Sequence, residues 1–469
     1  MTTFLRFATG KLSVALISAM MGVALFAAGD THAKGRNLKP EQRSIRLNLP
    51  QAVGIALRNN LNIVDAQIAV RESECRRREA YSDMFPKLSV EYSATGYRYK
   101  QGSNVSNLAG AHNSRRDSSK YPYADYPYRI DPYRAHTLSA TLSQPIYSGG
   151  KLLANYGYAK LGVDYSNVQL EIDKQDLILK VHEAYYSLLK QELIVDVANQ
   201  SITALTSLRD QTRKFFKAGT VAKVDLLSTE GDLASAIIDR TDALTEVGRY
   251  KAQLKLLLGF DQETAIEIER DLRIVPLPLA PPVIYRIAAA NRLEIRRANI
   301  SVGQAMEYIK AARADLMPTI TLEVQGSRSN DDWNVIDPEG TNEWSITGLL
   351  SWDFNMFRTK DTVLEKAASR DRAVVQETQM VREIMEEVKE AYLDLKRTDS
   401  NIRDYRKAVE YRKESFRINE VQYREHTATY TEVLDAQRYL AKAQGSYYSA
   451  LVNCKRNRAI LERRMGILK

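Results

Sequence analysis

The chain has 469 residues, of which 44% are hydrophobic and 27% are charged, with 22 Gly and 13 Pro. This composition is too apolar for a disordered chain and too poor in glycine and proline for a fibrous one. The net charge of +9 is spread along the chain without a compact basic block, which argues against nucleic acid as a partner. Two cysteines, Cys75 and Cys454, are too few for a disulfide scaffold or a cysteine-rich metal site.

Residues 1–33 have the pattern of a secretory signal peptide. Arg6 and Lys11 precede an apolar run at 12–28, and small residues up to Ala33 provide a cleavage site. A membrane anchor is the alternative, because the apolar run approaches the minimal length for crossing a bilayer. We expect export with cleavage, which leaves residues 34–46 as an N-terminal extension. No cysteine lies near the cleavage site, so we expect no lipid anchor.

The chain contains an internal duplication. Residues 80–86 reappear 232 positions later at 312–318, and residues 183–185 reappear 207 positions later at 390–392. The change of offset gives the first copy 25 extra residues, which we interpret as a long loop around 103–133. The predicted parts are a first repeat at 47–270, a proline-rich connector at 271–282 and a second repeat at 283–469.

Each repeat contains two segments in which apolar and polar residues alternate, which predicts strands with one apolar and one polar face. The four predicted strands lie near 87–99, 137–147, 319–327 and 343–354. This pattern is typical of transmembrane barrel strands, whose aromatic girdle would include Tyr97, Tyr99, Trp344 and Trp352. A soluble sandwich has the same pattern. Export and the very long helices beside so few strands favour the barrel.

Two proline-free segments, at 151–217 and 359–425, predict unusually long helices. At 1.5 Å per residue, each is roughly 100 Å long. Apolar residues spaced by three and four occupy equivalent positions in the two segments, which indicates coiled-coil seams.

Each long helix ends in a short break, near 218–224 and 425–430, after which a second helix returns. Gly219 suits a left-handed residue that closes a helix. Thr220 or Thr427 suits the N-cap of the returning helix. The sequence therefore predicts two tall helical hairpins.

These features together resemble the TolC-like family of outer-membrane efflux and secretion ducts. The likeness covers about residues 47–469. It rests on four motifs: Asp-x-x-Pro at 83–86 and 315–318, Ser-Gln-Pro-Ile-Tyr-Ser-Gly-Gly at 143–150, Glu-Ala-Tyr at 183–185 and 390–392, and Glu-Val-Leu-Asp-Ala-Gln at 432–437.

The resemblance implies a mainly α-helical protein with a transmembrane β part. Three chains would form one twelve-stranded β-barrel that continues as an α-helical barrel across the periplasm. A periplasmic adaptor and an inner-membrane pump of RND, ABC or MFS type would be its partners. Physics also demands oligomerisation, because four strands cannot close a barrel and an open edge in lipid leaves backbone groups unpaired.

The resemblance further implies that rings of carboxylates narrow the periplasmic tip, at the positions of Glu432 and Asp435. Six such carboxylates in a trimer would favour cations, and mutual repulsion would raise their pKa values. A solvated helix face is the alternative. The family also closes the tip with a Tyr–Asp latch between neighbouring hairpins, which Tyr423 and Asp225 match.

The sequence departs from the family pattern at other tip positions. The second latch of the family uses an arginine, but Ala428 stands there and Val224 stands at the position of its partner. The adaptor-binding turns normally both carry glycine, which Gly219 keeps and His426 replaces. The adaptor-contact residues implied by the resemblance are Lys217, Ala218, Gly219, Thr220, His426 and Thr427.

No motif indicates an enzyme. The five histidines are scattered without metal-ligand spacing, and there is no nucleophile elbow. Gly149-Gly150-Lys151 lacks the other residues of a phosphate loop, so we interpret it as a strand-to-helix turn. We expect no cofactor or metal. Cys75 and Cys454 are expected to be ordinary buried residues, with a bridge between them as the alternative.

The function that follows is an outer-membrane channel of a tripartite export system, which passes drugs and small molecules or type I secreted proteins to the exterior. The alternative is a soluble periplasmic coiled-coil scaffold or adaptor. Detergent-dependent extraction of a heat-modifiable oligomer distinguishes the channel from the scaffold.

Overall fold

The computed structural model describes residues 45–97, 133–274, 280–330, 333 and 340–468. The predicted signal peptide, Tyr99, nearly all of the predicted long loop and five residues of the connector lie outside them. In chain order the elements are β1 Ile45–Leu47, α1 Leu49–Asn59, α2 Leu61–Ser82, β2 Lys87–Tyr97, β3 Tyr133–Tyr147, α3 Lys151–Lys217, α4 Lys223–Leu258, β4 Ile266–Ile268, α5 Pro281–Asn291, α6 Leu293–Ala314, β5 Thr319–Asn330, β6 Thr341–Ser351, α7 Met356–Arg424 and α8 Tyr430–Arg464.

These elements occur twice in the same order: a short strand, two helices, two long strands and two long helices. The short strands β1 and β4 pair in parallel, with Ile45 opposite Ile266 and Leu47 opposite Ile268. The second unit thus begins at β4, inside the segment 47–270 that the sequence assigned to the first repeat. Three residues are too short to show a period, so this strand was not predicted.

The four long strands form one antiparallel sheet in the order β2-β3-β5-β6. Its register places four apolar side chains in one row across one face: Leu88, Leu142, Val324 and Ile346. The adjacent row lies on the opposite face and is polar: Ser89, Thr141, Gln325 and Ser345. At these two levels, the predicted alternation therefore extends across all four strands.

The last strand is shorter than predicted. It ends at Ser351, so Trp352 and Phe354 do not belong to it. The indole Nε1 of Trp352 instead donates a hydrogen bond to the Leu316 carbonyl at 3.2 Å. Asn355 caps the next helix by accepting from the Arg358 backbone N–H at 3.4 Å. The apolar residues at 352 and 354 thus continue the alternation into a turn.

The long helices pack as two hairpins, α3 with α4 and α7 with α8, and α3 also packs along α8. Seam positions such as Val181, Leu188, Ile384 and Val388 are buried, as the spacing predicts. Tyr405 is the exception, since 38% of it is exposed. Among the described residues, no helix combines the length and the apolar composition that crossing a membrane requires.

Candidate functional site at the hairpin tips

Both hairpin tips close their incoming helix with the same hydrogen bonds. At the first tip, Gly219 N donates to the Phe216 carbonyl and Thr220 N donates to the Phe215 carbonyl, both at 3.0 Å. At the second tip, His426 N donates to the Tyr423 carbonyl at 3.1 Å, and Thr427 N donates to the Gln422 carbonyl at 2.8 Å. Each pair is the Schellman arrangement of a helix end. The two tips therefore share this pair of backbone hydrogen bonds at positions 207 residues apart.

The histidine at the second tip keeps the geometry of the glycine that it replaces. Gly219 has φ 76° and His426 has φ 59°, so both are left-handed. Within the described ranges, His426 is the one non-glycine residue with positive φ, a conformation that costs a side-chain-bearing residue about 1–2 kcal/mol. Its ring packs on Phe215 of the other hairpin, with the centroids 4.3 Å apart. The substitution thus adds a contact between the hairpins.

The predicted adaptor-contact residues all lie on the surface of the two tips. All six residues are exposed: Lys217, Ala218, Gly219, Thr220, His426 and Thr427. Their exposure leaves them accessible to a partner, and their role stays a prediction.

The prediction that Thr220 or Thr427 caps a returning helix is wrong. Their hydroxyls donate backwards, to the Phe215 carbonyl at 3.0 Å and the Gln422 carbonyl at 3.1 Å. The N-caps of the returning helices lie two residues after the predicted ones, at Ala222 and Thr429. Caps form at the last non-helical residue, and these two residues are again 207 positions apart.

Two predicted tip carboxylates, Asp225 of the latch and Glu432 of the ring, complete these caps. Asp225 accepts from the Ala222 backbone N–H at 3.3 Å. Glu432 accepts from the Thr429 backbone N–H at 2.7 Å and from its hydroxyl at 2.9 Å. These hydrogen bonds lower the pKa of Glu432 below its ordinary value, because they stabilise the charged form. Within one chain, the pKa of Glu432 therefore moves in the direction opposite to the predicted rise.

Asp435 lies one helical turn after Glu432, and both side chains are exposed, whereas Val433 and Leu434 between them are buried. The two carboxylates thus share the solvent face of α8, where three chains around an axis would form the predicted ring. That role stays a prediction.

The predicted latch residues lie near each other but use other hydrogen-bond partners within the chain. Tyr423 is 4% exposed, and its hydroxyl is 2.9 Å from Oγ1 of Thr212 on the first hairpin. Burial raises the pKa of Tyr423, and the nearby charge of Asp225 acts in the same direction. Asp225 itself, in the first turn of α4, accepts from the backbone N–H of the N-cap Ala222. Tyr423 does tie the hairpins together, through Thr212, and the latch with Asp225 stays a prediction.

Sequence reasoning missed a second polar contact between the hairpins. The Tyr430 hydroxyl on α8 donates to the Asp232 carboxylate on α4, and Nη2 of Arg438 lies 2.9 Å from Oδ1 of the same carboxylate. Burial and the Asp232 carboxylate raise the pKa of Tyr430. The one signal was spacing, because Asp232 and Tyr430 each follow a predicted latch residue by seven positions.

An apolar cluster surrounds these contacts and fills the space between the hairpins. Its buried members are Leu205, Leu208, Leu233, Ala236, Tyr423, Tyr430, Val433 and Leu434. The tips of one chain are therefore packed against each other and not merely adjacent.

The described part of the chain contains no group of three His, Cys, Asp or Glu side chains placed to hold a metal ion. Both cysteines are free thiols, and Cys454 is buried as expected, whereas Cys75 is exposed. Cys75 lies on the solvent side of α2, where the expectation of burial is wrong.

The chain is similar to a family of outer-membrane proteins and to a solved outer-membrane channel. A profile described as "Outer membrane efflux protein" matches residues 52–260 and 284–466. Outer membrane protein TolC of Escherichia coli (strain K12) is 22% identical over 368 residues, 74% of this chain and 73% of that protein. Nodulation protein T of Rhizobium leguminosarum bv. trifolii is 24% identical over 327 residues, 66% of this chain and 67% of that protein. The Campylobacter jejuni CmeC outer membrane channel superposes with a TM-score of 0.76 at 16% identity, covering 89% of this chain and 85% of that one.

Proposed function

Because the chain belongs to the outer membrane efflux protein family, we propose that three copies of it form the exit duct of a tripartite export system. The chain is an outer-membrane channel protein for efflux. A periplasmic adaptor docks on the exposed tips, and an inner-membrane pump drives drugs, other small molecules or secreted proteins through the duct. One observation carries the proposal: one face of the sheet has a row of apolar side chains across all four strands, and the two edges of the sheet are open.

The sheet supports both the membrane location and the assembly. Its strands have 11 to 15 residues, and about ten residues suffice to cross a bilayer as a tilted strand. The row from Leu88 to Ile346 then faces lipid, and the polar row faces the lumen. The edges β2 and β6 are incompatible with lipid unless they are paired. Pairing β6 of one copy with β2 of the next closes twelve strands from three copies.

The layer of long helices in one chain, like the sheet, ends in two outer elements that lack a partner on one side. In one chain α3 lies between α4 and α8, so α4 and α7 are the outer helices. Both outer helices carry exposed apolar residues: Ile237, Ile238 and Leu244 on α4, and Leu364, Val374 and Val375 on α7. A neighbouring copy buries these residues when α7 packs against the next α4, which continues the sheet closure into a tunnel of helices.

The lipid-facing row is tested by a lysine substitution with a matched control. We expect Ile346→Lys to lower the yield of folded oligomer in the outer membrane, because a lysine facing the middle of the bilayer costs about 2–4 kcal/mol. Ser345→Lys, one residue earlier on the polar face, is expected to insert normally. The measurement is the fraction of heat-modifiable oligomer in detergent extracts of membranes. Equal loss in both variants, or a monomer recovered without detergent, would overturn the proposed function.

The latch is tested by conductance. We expect Tyr423→Phe to raise the conductance of the purified trimer in planar bilayers about fivefold, the factor that follows from the loss of its buried hydrogen bond. If Asp225 is the second latch residue, Asp225→Ala raises the conductance as well. Tyr411→Phe is the control, since Tyr411 is 72% exposed on the same helix. Unchanged conductance in both tip variants discards the latch.

A further inference from the structure

One carboxylate on the first hairpin, away from the tip of that hairpin, joins the two hairpins of a chain. Asp232 lies nine residues after the first residue of α4, which is roughly 14 Å along the helix. Its carboxylate accepts a hydrogen bond from Tyr430 and forms an ion pair with Arg438, and both of these residues lie on α8. A single side chain on the first hairpin therefore receives two donors from the second.

The surroundings favour this contact over an ordinary surface ion pair. The Asp232 side chain is 19% exposed, and Tyr430 belongs to the apolar cluster between the hairpins. Hydrogen bonds to charged groups are the stronger kind, and partial burial reduces the competition from water. Arg438 is 60% exposed, so it covers the carboxylate from the solvent side.

The residues that the family resemblance assigns to closure either have other hydrogen-bond partners in this chain or cannot form a polar contact with their side chains. Tyr423 bonds to Thr212, and Asp225 caps α4. Ala428 and Val224 have no polar side-chain atoms. Asp232 lies seven residues after Asp225 on α4, whereas Tyr430 follows Tyr423 across the turn and begins α8. Here the tyrosine hydroxyl does reach the carboxylate.

We propose that Asp232 is the main positioning residue of closure in this protein, and that its contacts with Tyr430 and Arg438 must break before the hairpins of one chain separate. The carboxylate of the closing contact thus lies one heptad further along α4 than the carboxylate of the expected latch. This inference rests on the proposed channel function, because closure has a meaning only for a duct.

Conductance distinguishes this contact from charge effects in general. We expect Asp232→Asn and Arg438→Gln to raise the open-state population of the trimer in planar bilayers about tenfold, the factor given by the loss of one hydrogen bond to a charged group. The matched control is Glu230→Gln. Glu230 lies two residues earlier on α4 and pairs with Arg213 at 2.8 Å, but both residues belong to the first hairpin. This control is expected to conduct like the unmodified protein.

A second measurement does not depend on transport. Hydrogen exchange of the full-length protein in detergent is expected to accelerate at 423–438 in Asp232→Asn, because the first turns of α8 lose their anchor, and to stay unchanged in Glu230→Gln.

The two readouts separate the two claims. If neither the unmodified protein nor any of the variants conducts, the channel is overturned, and the exchange data then decide on the contact. If Asp232→Asn leaves exchange unchanged, or matches Glu230→Gln in both readouts, or opens the trimer less than Tyr423→Phe, then Asp232 is not the main closing residue.

Discussion

We expect the substitution Arg463→Met to lower the free energy of unfolding by about 4 kcal/mol, because removing one member of a buried ion pair leaves its partners charged and unpaired. The Arg463 side chain is 5% exposed. Its Nη2 lies 2.7 Å from Oε1 of Glu294 and 2.7 Å from Oδ1 of Asp176. Methionine fills a similar volume without a donor, so the loss reports the ionic contacts and not a cavity.

The network around Arg463 joins distant parts of the chain. Glu294, at the start of α6, is 12% exposed and also pairs with Arg292 at 3.1 Å. Nη1 of Arg292 donates to the carbonyl of Arg463 at 3.3 Å. Its Nη2 lies 3.1 Å from Glu387, which Arg464 also contacts at 2.6 Å. The end of α8 is thereby fixed to α6, to α7 and, through Asp176, to α3.

The control for this substitution is Arg417→Met. Arg417 and Glu414 form a double hydrogen bond at 2.7 and 3.0 Å on the exposed face of α7, where such pairs contribute about 0–1 kcal/mol. Denaturant unfolding of the detergent-solubilised protein, followed by circular dichroism, measures both variants. Equal destabilisation by the two substitutions would contradict the assigned role of burial.

The same network predicts an acid dependence of stability. Burial acts to raise the pKa of Glu294, but Arg463 and Arg292 hold it below its ordinary value. A lowered pKa in the folded state gives stability that is present above the unfolded value of about 4.3 and is lost as the pH falls through the folded value. We therefore expect the difference between unmodified protein and Arg463→Met to shrink below about pH 4.

The second large effect is expected from Gly466→Ala, at about 3 kcal/mol of destabilisation. Gly466 has φ 73°, and a Cβ there would lie 2.7 Å from the Asn291 carbonyl oxygen and 2.8 Å from its carbon. Left-handed strain contributes about 1–2 kcal/mol, and the overpacking adds about 1–3 kcal/mol. The obstructing atoms are backbone at the corner between α5 and α6, so no side chain can rotate away.

Gly219→Ala separates strain from overpacking. Gly219 has a similar φ of 76°, but a Cβ there would have nothing within 4 Å, so we expect a loss of about 1 kcal/mol. Thermal unfolding in detergent compares the two variants. If Gly466→Ala lowers the stability no more than Gly219→Ala does, then the backbone between α5 and α6 moves to accommodate the Cβ, and the prediction is wrong. The counterpart of Gly466 in the first unit is Gly259, with φ 70° and a Cβ distance of 3.0 Å to the Asn59 carbonyl oxygen.

The elements that repeat with a clear period were predictable. The proline-free segment at 151–217 has the bounds of α3, because spacing by three and four residues is a property of one helix. The sheet was predictable for the same reason, except where alternation continues past Ser351 into a turn. At the tips, the left-handed conformation of Gly219 was predictable from its residue type. That of His426 was not, because histidine disfavours positive φ and only its alignment with Gly219 indicates the turn.

The contacts that close the candidate site were not predictable from local pattern. The sequence by itself determined the two hairpins, the four long strands, the duplication and the family, because each depends on backbone geometry over a few residues or on direct comparison of letters. Only the tertiary structure decided that Tyr430 meets Asp232, 198 positions away, and that Arg463 meets Glu294, 169 positions away. Which side chains meet depends on how the hairpins pack against each other. A shift of one helix by a few ångströms along its axis would bring a different heptad position into the contact.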